Sequence, residues 1–120
     1  MNKHEAFHAF LEGHGVKAFC SGSVPSGEKL PYMTYQPAWG AWGAVTSVPV
    51  TIWHRTSSDS EINKMADTIV GELKSSGTRV QCEEGVLLVR PGQPFVQAIE
   101  TAEDGVKARY INLEIEFMTI

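Results

Sequence analysis

Val106-Lys107-Ala108-Arg109-Tyr110-Ile111-Asn112-Leu113-Glu114-Ile115-Glu116-Phe117-Met118 is the stretch that decides the fold. Ile111, Leu113, Ile115 and Phe117 alternate with Asn112, Glu114 and Glu116, so an apolar and a polar face run along one long β-strand. Immediately before it, Asp104-Gly105 marks a hairpin that joins it to a strand at 95–100. Further back, Pro91-Gly92-Gln93-Pro94 reads as a turn, and 86–90 as a buried strand. The last third of the chain is therefore a strand meander.

The middle of the chain is helical. Ser58 and Glu61 have capping-box spacing, and Ile62, Met65, Ala66, Ile69, Val70 and Leu73 recur at helical period before Lys74 and Gly77 stop the run. Gly71 inside it costs about 1 kcal/mol relative to alanine, so a close packing neighbour is expected there. Upstream, 48–55 alternates as a strand. Pro49 marks it as an edge strand or marks its first residues. Residues 30–36 form another strand, 21–29 a loop rich in Gly, Ser and Pro, and 16–19 a short strand. Asn2 caps a first helix at 2–12, with Glu5 as its capping-box partner and Gly13 or Gly15 as its end. The order predicts an α+β domain over 1–120: two helices packed on one face of a mostly antiparallel or mixed sheet.

A chain of 120 residues suits one domain with one core, without staples. Its formal charge of −4 and lack of a basic run argue against nucleic-acid binding. No apolar run spans a bilayer, and residues 2–5 lack a signal-peptide pattern, so no membrane partner and a cytoplasmic address are expected. Cys20 and Cys82 have no metal-site or CxxC spacing and read as buried free thiols.

Three features resemble chemistry. His4-Glu5-Ala6-Phe7-His8 is an H-E-x-x-H string on a predicted helix, the pattern that holds zinc and activates water in metallopeptidases. His14 stands where a third ligand falls in an extended form of that pattern. Leu11, however, occupies its glycine position, and Glu5 already has a capping role. Gly22 to Lys29 approaches a phosphate loop, but its lysine is displaced and a strand follows where a helix start is needed. His54 lies just past Ile52 on the inward face of its strand and reads as structural. No catalytic residue, metal ligand or cofactor site is therefore assigned.

The tryptophans carry a different signal. Trp39 and Trp42 lie in a doubled Trp-Gly-Ala unit that reads as a loop or bulged hairpin tip, and Trp53 points away from the core side of its strand. Tryptophan anchors dominate protein interfaces, so Trp39, Trp42 and Trp53 are candidate contacts. The alternative is that they fold back over their own sheet or helix.

Taken in order, Leu30-Pro31-Tyr32-Met33-Thr34-Tyr35, Val48-Pro49-Val50-Thr51-Ile52-Trp53, the helix at 62–73, Gly92-Gln93-Pro94-Phe95 and Arg109-Tyr110-Ile111-Asn112-Leu113-Glu114-Ile115-Glu116-Phe117 resemble the tail-completion, or tail-terminator, family of siphophages and prophages. The resemblance covers most of the chain and implies a structural subunit without enzymatic activity or cofactor. Such subunits close into a ring, commonly a hexamer, on the head-proximal end of the tail. Their implied partners are copies of themselves, the tail-tube protein and the head–tail connector or neck. On this resemblance Glu114 and Glu116 would line the lumen and repel DNA. The protein would assemble in the host cytoplasm and end in the virion tail. The alternatives are another head–tail connector protein or a small zinc peptidase using His4-Glu5-Ala6-Phe7-His8.

Overall fold

A computed structural model describes residues 1–39, 44–73 and 77–119. Its elements run α1 (Lys3–Glu12), β1 (Lys17–Cys20), β2 (Tyr32–Tyr35), β3 (Val45–Arg55), α2 (Asp59–Glu72), β4 (Thr78–Cys82), β5 (Gly85–Ile99) and β6 (Val106–Thr119). The strands form one six-stranded sheet in the order β1-β2-β3-β6-β5-β4. Only β1 and β2 are parallel, and the remaining neighbours are antiparallel. The chain has the expected α+β architecture with a mixed sheet.

Alternation in β6 sets the layers. Ile111, Leu113 and Ile115 join Val48, Val50 and Ile52 of β3 and Leu87 and Val89 of β5 in one buried cluster. Phe7 and Leu11 of α1 and Ile62, Ala66 and Ile69 of α2 close that cluster from above. Both helices thus cover one face. Truncating a fully buried member such as Leu113 to alanine costs about 2–5 kcal/mol.

The helices start as the sequence dictates, with one difference. Asn2 Oδ1 accepts the Glu5 N–H at 2.9 Å and Glu5 Oε1 accepts the Asn2 N–H at 3.1 Å, completing the first capping box. At α2, Ser58 caps through Ser60. Glu61 instead reaches His54, with its Oε2 2.9 Å from Nε2, so the second box does not form. Gly71 is exposed, and nothing lies within 4 Å of a Cβ placed there. The expected packing neighbour is absent among the described residues, and the helical cost of this glycine stands unrelieved.

Two strand readings are corrected. Residues 91–94 are not a turn, because β5 runs straight through them. Pro91 pairs with Leu113 and Val96 with Ile111, so 92–95 bulge opposite Asn112 alone. Asn112 Nδ2 donates to the Pro94 carbonyl at 2.7 Å and pins the bulge. A Cβ on Gly92 would stand 3.0 Å from Asn112 Cβ and 3.2 Å from its carbonyl oxygen, a tight approach that glycine avoids. Pro49 lies within a central strand rather than an edge strand. β2 ends at Tyr35 opposite Val50, however, so at Pro49 β3 has a neighbour only on the β6 side. A missing N–H facing away from β6 therefore breaks no ladder bond.

Arg109 ties α2 to the sheet. It takes an inward position on β6 and is 8% exposed. Its guanidinium donates to Asp59 Oδ1 at 2.9 Å, Asn63 Oδ1 at 3.0 Å and the Ala108 carbonyl at 3.0 Å. Lys107 Nζ approaches the same Asp59 oxygen at 3.2 Å. Hydrogen bonds from Arg109, then from Lys107, hold the Asp59 carboxyl below its ordinary 3.8. A depressed carboxyl stabilises the fold above its unfolded value, and the contribution is lost as pH falls through the folded value. Asp59→Asn is therefore expected to lower stability at neutral pH, with the deficit against the unmodified chain vanishing below pH 3.8. Urea denaturation across pH measures this.

Candidate functional site

The candidate residues fall into three groups: a helix-end cluster, the tryptophans and the helix-free face of the sheet. In the first, α1 brings His4 and His8 onto one side, as the H-E-x-x-H spacing requires. Both ring nitrogens of His8 and the Nδ1 of His4 have other partners. Trp39 Nε1 donates to His4 Nδ1 at 3.0 Å. Tyr35 Oη lies 2.9 Å from His8 Nδ1, and Glu12 Oε1 lies 3.2 Å from His8 Nε2. His14 Nδ1 faces the Leu11 carbonyl at 3.1 Å. Glu5 remains in its cap. Among the described residues no group of three metal-binding side chains converges.

The contacts of His8 are structural. Burial first, then hydrogen bonding with Cys20, raises the Tyr35 hydroxyl above its usual value, so it stays a neutral phenol. It is a poor base or nucleophile, but it fastens α1 to β2. Glu12 adds a second tie, since its Oε2 accepts the Ala18 N–H of β1 at 3.1 Å. Cys20 is exposed rather than buried, and Cys82 is half-buried. The phosphate-loop-like stretch is loop, as expected, and Lys17 pairs with its Glu28 at 3.2 Å.

Trp39 turns back onto α1, and Trp53 stands on the face of the sheet away from the core, as expected. Trp39 packs edge-on against Phe7, with centroids 6.0 Å apart, besides its bond to His4. Trp53 Nε1 donates to Thr34 Oγ1 at 2.9 Å on the neighbouring strand. Both are half-buried with their indole N–H satisfied within the chain, and each keeps part of its ring exposed for a partner. Trp42 lies outside the described residues. Sequence alone missed the partners, because His4 and Thr34 lie far from them along the chain.

No described element covers the second face of the sheet. Phe19, Tyr32, Trp53 and Tyr110 gather toward one end of it, and Phe19 and Tyr32 meet edge-on at 5.8 Å. Beside them an open cleft of about 580 Å³ lies between Trp53, the 21–30 loop and the 101–106 turn. Its Arg55 is engaged by Glu103. Toward the other end stand Glu114 and Glu116, on one face as expected. That face is not simply acidic. Arg90 is the cross-strand neighbour of Glu114 and its Nη2 lies 3.3 Å from Glu116 Oε1. Arg79 is the neighbour of Leu88, which faces Glu116. The sequence could not reveal this mixing, because it depends on register.

No family model matches the chain, and comparisons with curated proteins and with solved structures return no match.

Sequence reasoning also overlooked Arg109. The signal was available: a lone arginine continuing the inward alternation of 111, 113 and 115 requires a carboxylate opposite it.

Because Trp39 links α1 to the sheet side, Trp39→Phe is expected to keep the fold but lower its stability by about 1 kcal/mol through the lost hydrogen bond. Thermal denaturation of the isolated chain measures it. An unchanged midpoint would contradict that link.

Proposed function

We propose that this chain is a structural assembly subunit of the tail-completion type, closing into a ring on the head-proximal end of a phage tail tube. One observation carries the reading: among the described residues, a six-stranded sheet keeps its second face clear of helices. Half-buried aromatic side chains lie toward one end of this face and paired charges toward the other. Such a face, with an aromatic patch and a polar remainder, has the make-up of a protein contact. The engagement of His4, His8 and Glu5 in other bonds supports a structural role over the peptidase alternative.

On this reading the aromatic end around Phe19, Tyr32 and Tyr110 meets a neighbouring subunit or the tube. The Glu114–Arg90–Glu116 end faces the lumen, where a charge-mixed surface lets DNA pass without sticking. Closed cyclic symmetry satisfies every such contact and leaves no growing end. Another component of the head–tail junction would use the same surface, and control of tube length separates the two.

Native mass spectrometry of the purified chain, alone and with polymerising tail-tube subunits, tests the proposal. The expected result is a metal-free ring of about six copies that caps tubes and fixes their length. A chain that stays monomeric in both conditions and leaves tube length unchanged contradicts it.

A further inference from the structure

The outermost strands of the sheet are protected, but two stretches inside them are not: β3 at 45–49, beyond the end of β2, where Pro49 lacks an N–H to give, and the outer half of β5. β1 is only four residues long and carries Lys17, and Glu12 occupies its Ala18 N–H. β4 is five residues long with an exposed Arg79. Short length and charge are the usual ways to keep an edge from pairing. β4, however, pairs with β5 only from Thr78 opposite Val89 to Cys82 opposite Gly85. Beyond Val89 no described strand lies on the outer side of β5. Residues 93–99 carry no charged side chain, and Val96 and Ile99 are 39% and 37% exposed. Pro94 has no N–H to give, so the stretch able to pair is 95–99.

This stretch is complementary to itself. Counting outward from Gln97, an antiparallel copy sets Phe95 opposite Ile99 and Val96 opposite Ala98, leaving the two Gln97 amides facing each other. Both flanking pairs are apolar, and no charge meets a like charge. Centring one residue later sets Val96 against Glu100, and one residue earlier brings Pro94 into the ladder. Centring between residues turns the helix-covered faces of the two sheets to opposite sides.

We infer that residues 95–99 of β5 pair antiparallel with the same residues of a second copy, about a two-fold axis through Gln97. The contact closes on itself, so it consumes the open edge without starting a filament. A five-residue pairing is small, and the dimer belongs to the weak, concentration-dependent class. The inference does not rest on the ring, whose contacts run head to tail.

Sedimentation velocity across a dilution series tests it. The unmodified chain is expected to pass from monomer to dimer as concentration rises. Gln97→Lys and Gln97→Glu each place like charges on the axis and shift the transition at least tenfold in concentration, while their equal mixture restores it. Gln97→Cys in a Cys20→Ser background is expected to oxidise to a covalent dimer, because opposed Cα atoms about 4.5–5.5 Å apart fall within disulfide reach. Circular dichroism checks that each variant is folded. A chain that remains monomeric throughout overturns the inference and leaves the edge to a strand of a different protein. An equal mixture that associates no better than either variant also overturns it. A six-membered ring unaffected by every Gln97 variant, with no Gln97→Cys cross-link, overturns this inference while sparing the ring. A dimer that never forms a ring does the reverse.

Discussion

Everything in this fold depends on the register of β6 between β3 and β5. Its neighbour β3 follows it without interruption from Val45 opposite Glu116 to Arg55 opposite Val106. A slip of one residue would turn Tyr110, Asn112, Glu114 and Glu116 toward the helices and Ile111, Leu113 and Ile115 toward water. Each of these three aliphatic side chains is worth roughly 1.5–3 kcal/mol when buried, so the register is strongly fixed. Arg109 adds a polar check, since only this register brings its guanidinium to Asp59 and Asn63 of α2. The same constraint fixes the face that the helices leave clear, because each residue buried above places its neighbour below.

On the other side of β6, β5 outruns its outer neighbour. β4 accompanies β5 only as far as Val89, and the bulge at 92–95 then separates the covered half of β5 from its outer half. Asn112 holds that bulge through the Pro94 carbonyl, and Gly92 allows the close approach to Asn112. On the far side of the sheet, β1 is short and closed by Glu12. The strand backbone left without a described neighbour is thus confined to the outer half of β5 and to 45–49 of β3, and the side chains clear of the helices lie on one face. The proposed assembly role draws on this asymmetry, while His8 and Glu12 hold α1 to β2 and β1.

Much of this was legible in the sequence. Alternation at 111, 113 and 115, the helical period from Ile62 onward, the Asn2 and Glu5 box and the Asp104-Gly105 hairpin each depend on neighbours in sequence, and each was found. The failures depend on distant partners. Pro91 to Pro94 carries residues common to turns and bulges, and the contact that decides between them comes from Asn112 on another strand. Glu61 had the spacing to complete a cap, but His54 offered it a better partner. Trp39 and Trp53 show nothing in sequence of His4 or Thr34, to which their N–H groups are bonded. The acidity of Glu114 and Glu116 was plain, whereas the neutralising Arg90 appears only once β5 and β6 are in register.

Hydrogen–deuterium exchange across a dilution series tests the central claim most directly, that a rigid β6-centred sheet offers the outer half of β5 to a partner. The account predicts slow exchange at 110–116 and 86–89 at every concentration, with protection at 95–99 rising as the protein is concentrated. Exchange at 95–99 that ignores concentration, or exchange in β6 as fast as in the 100–105 turn, would contradict it.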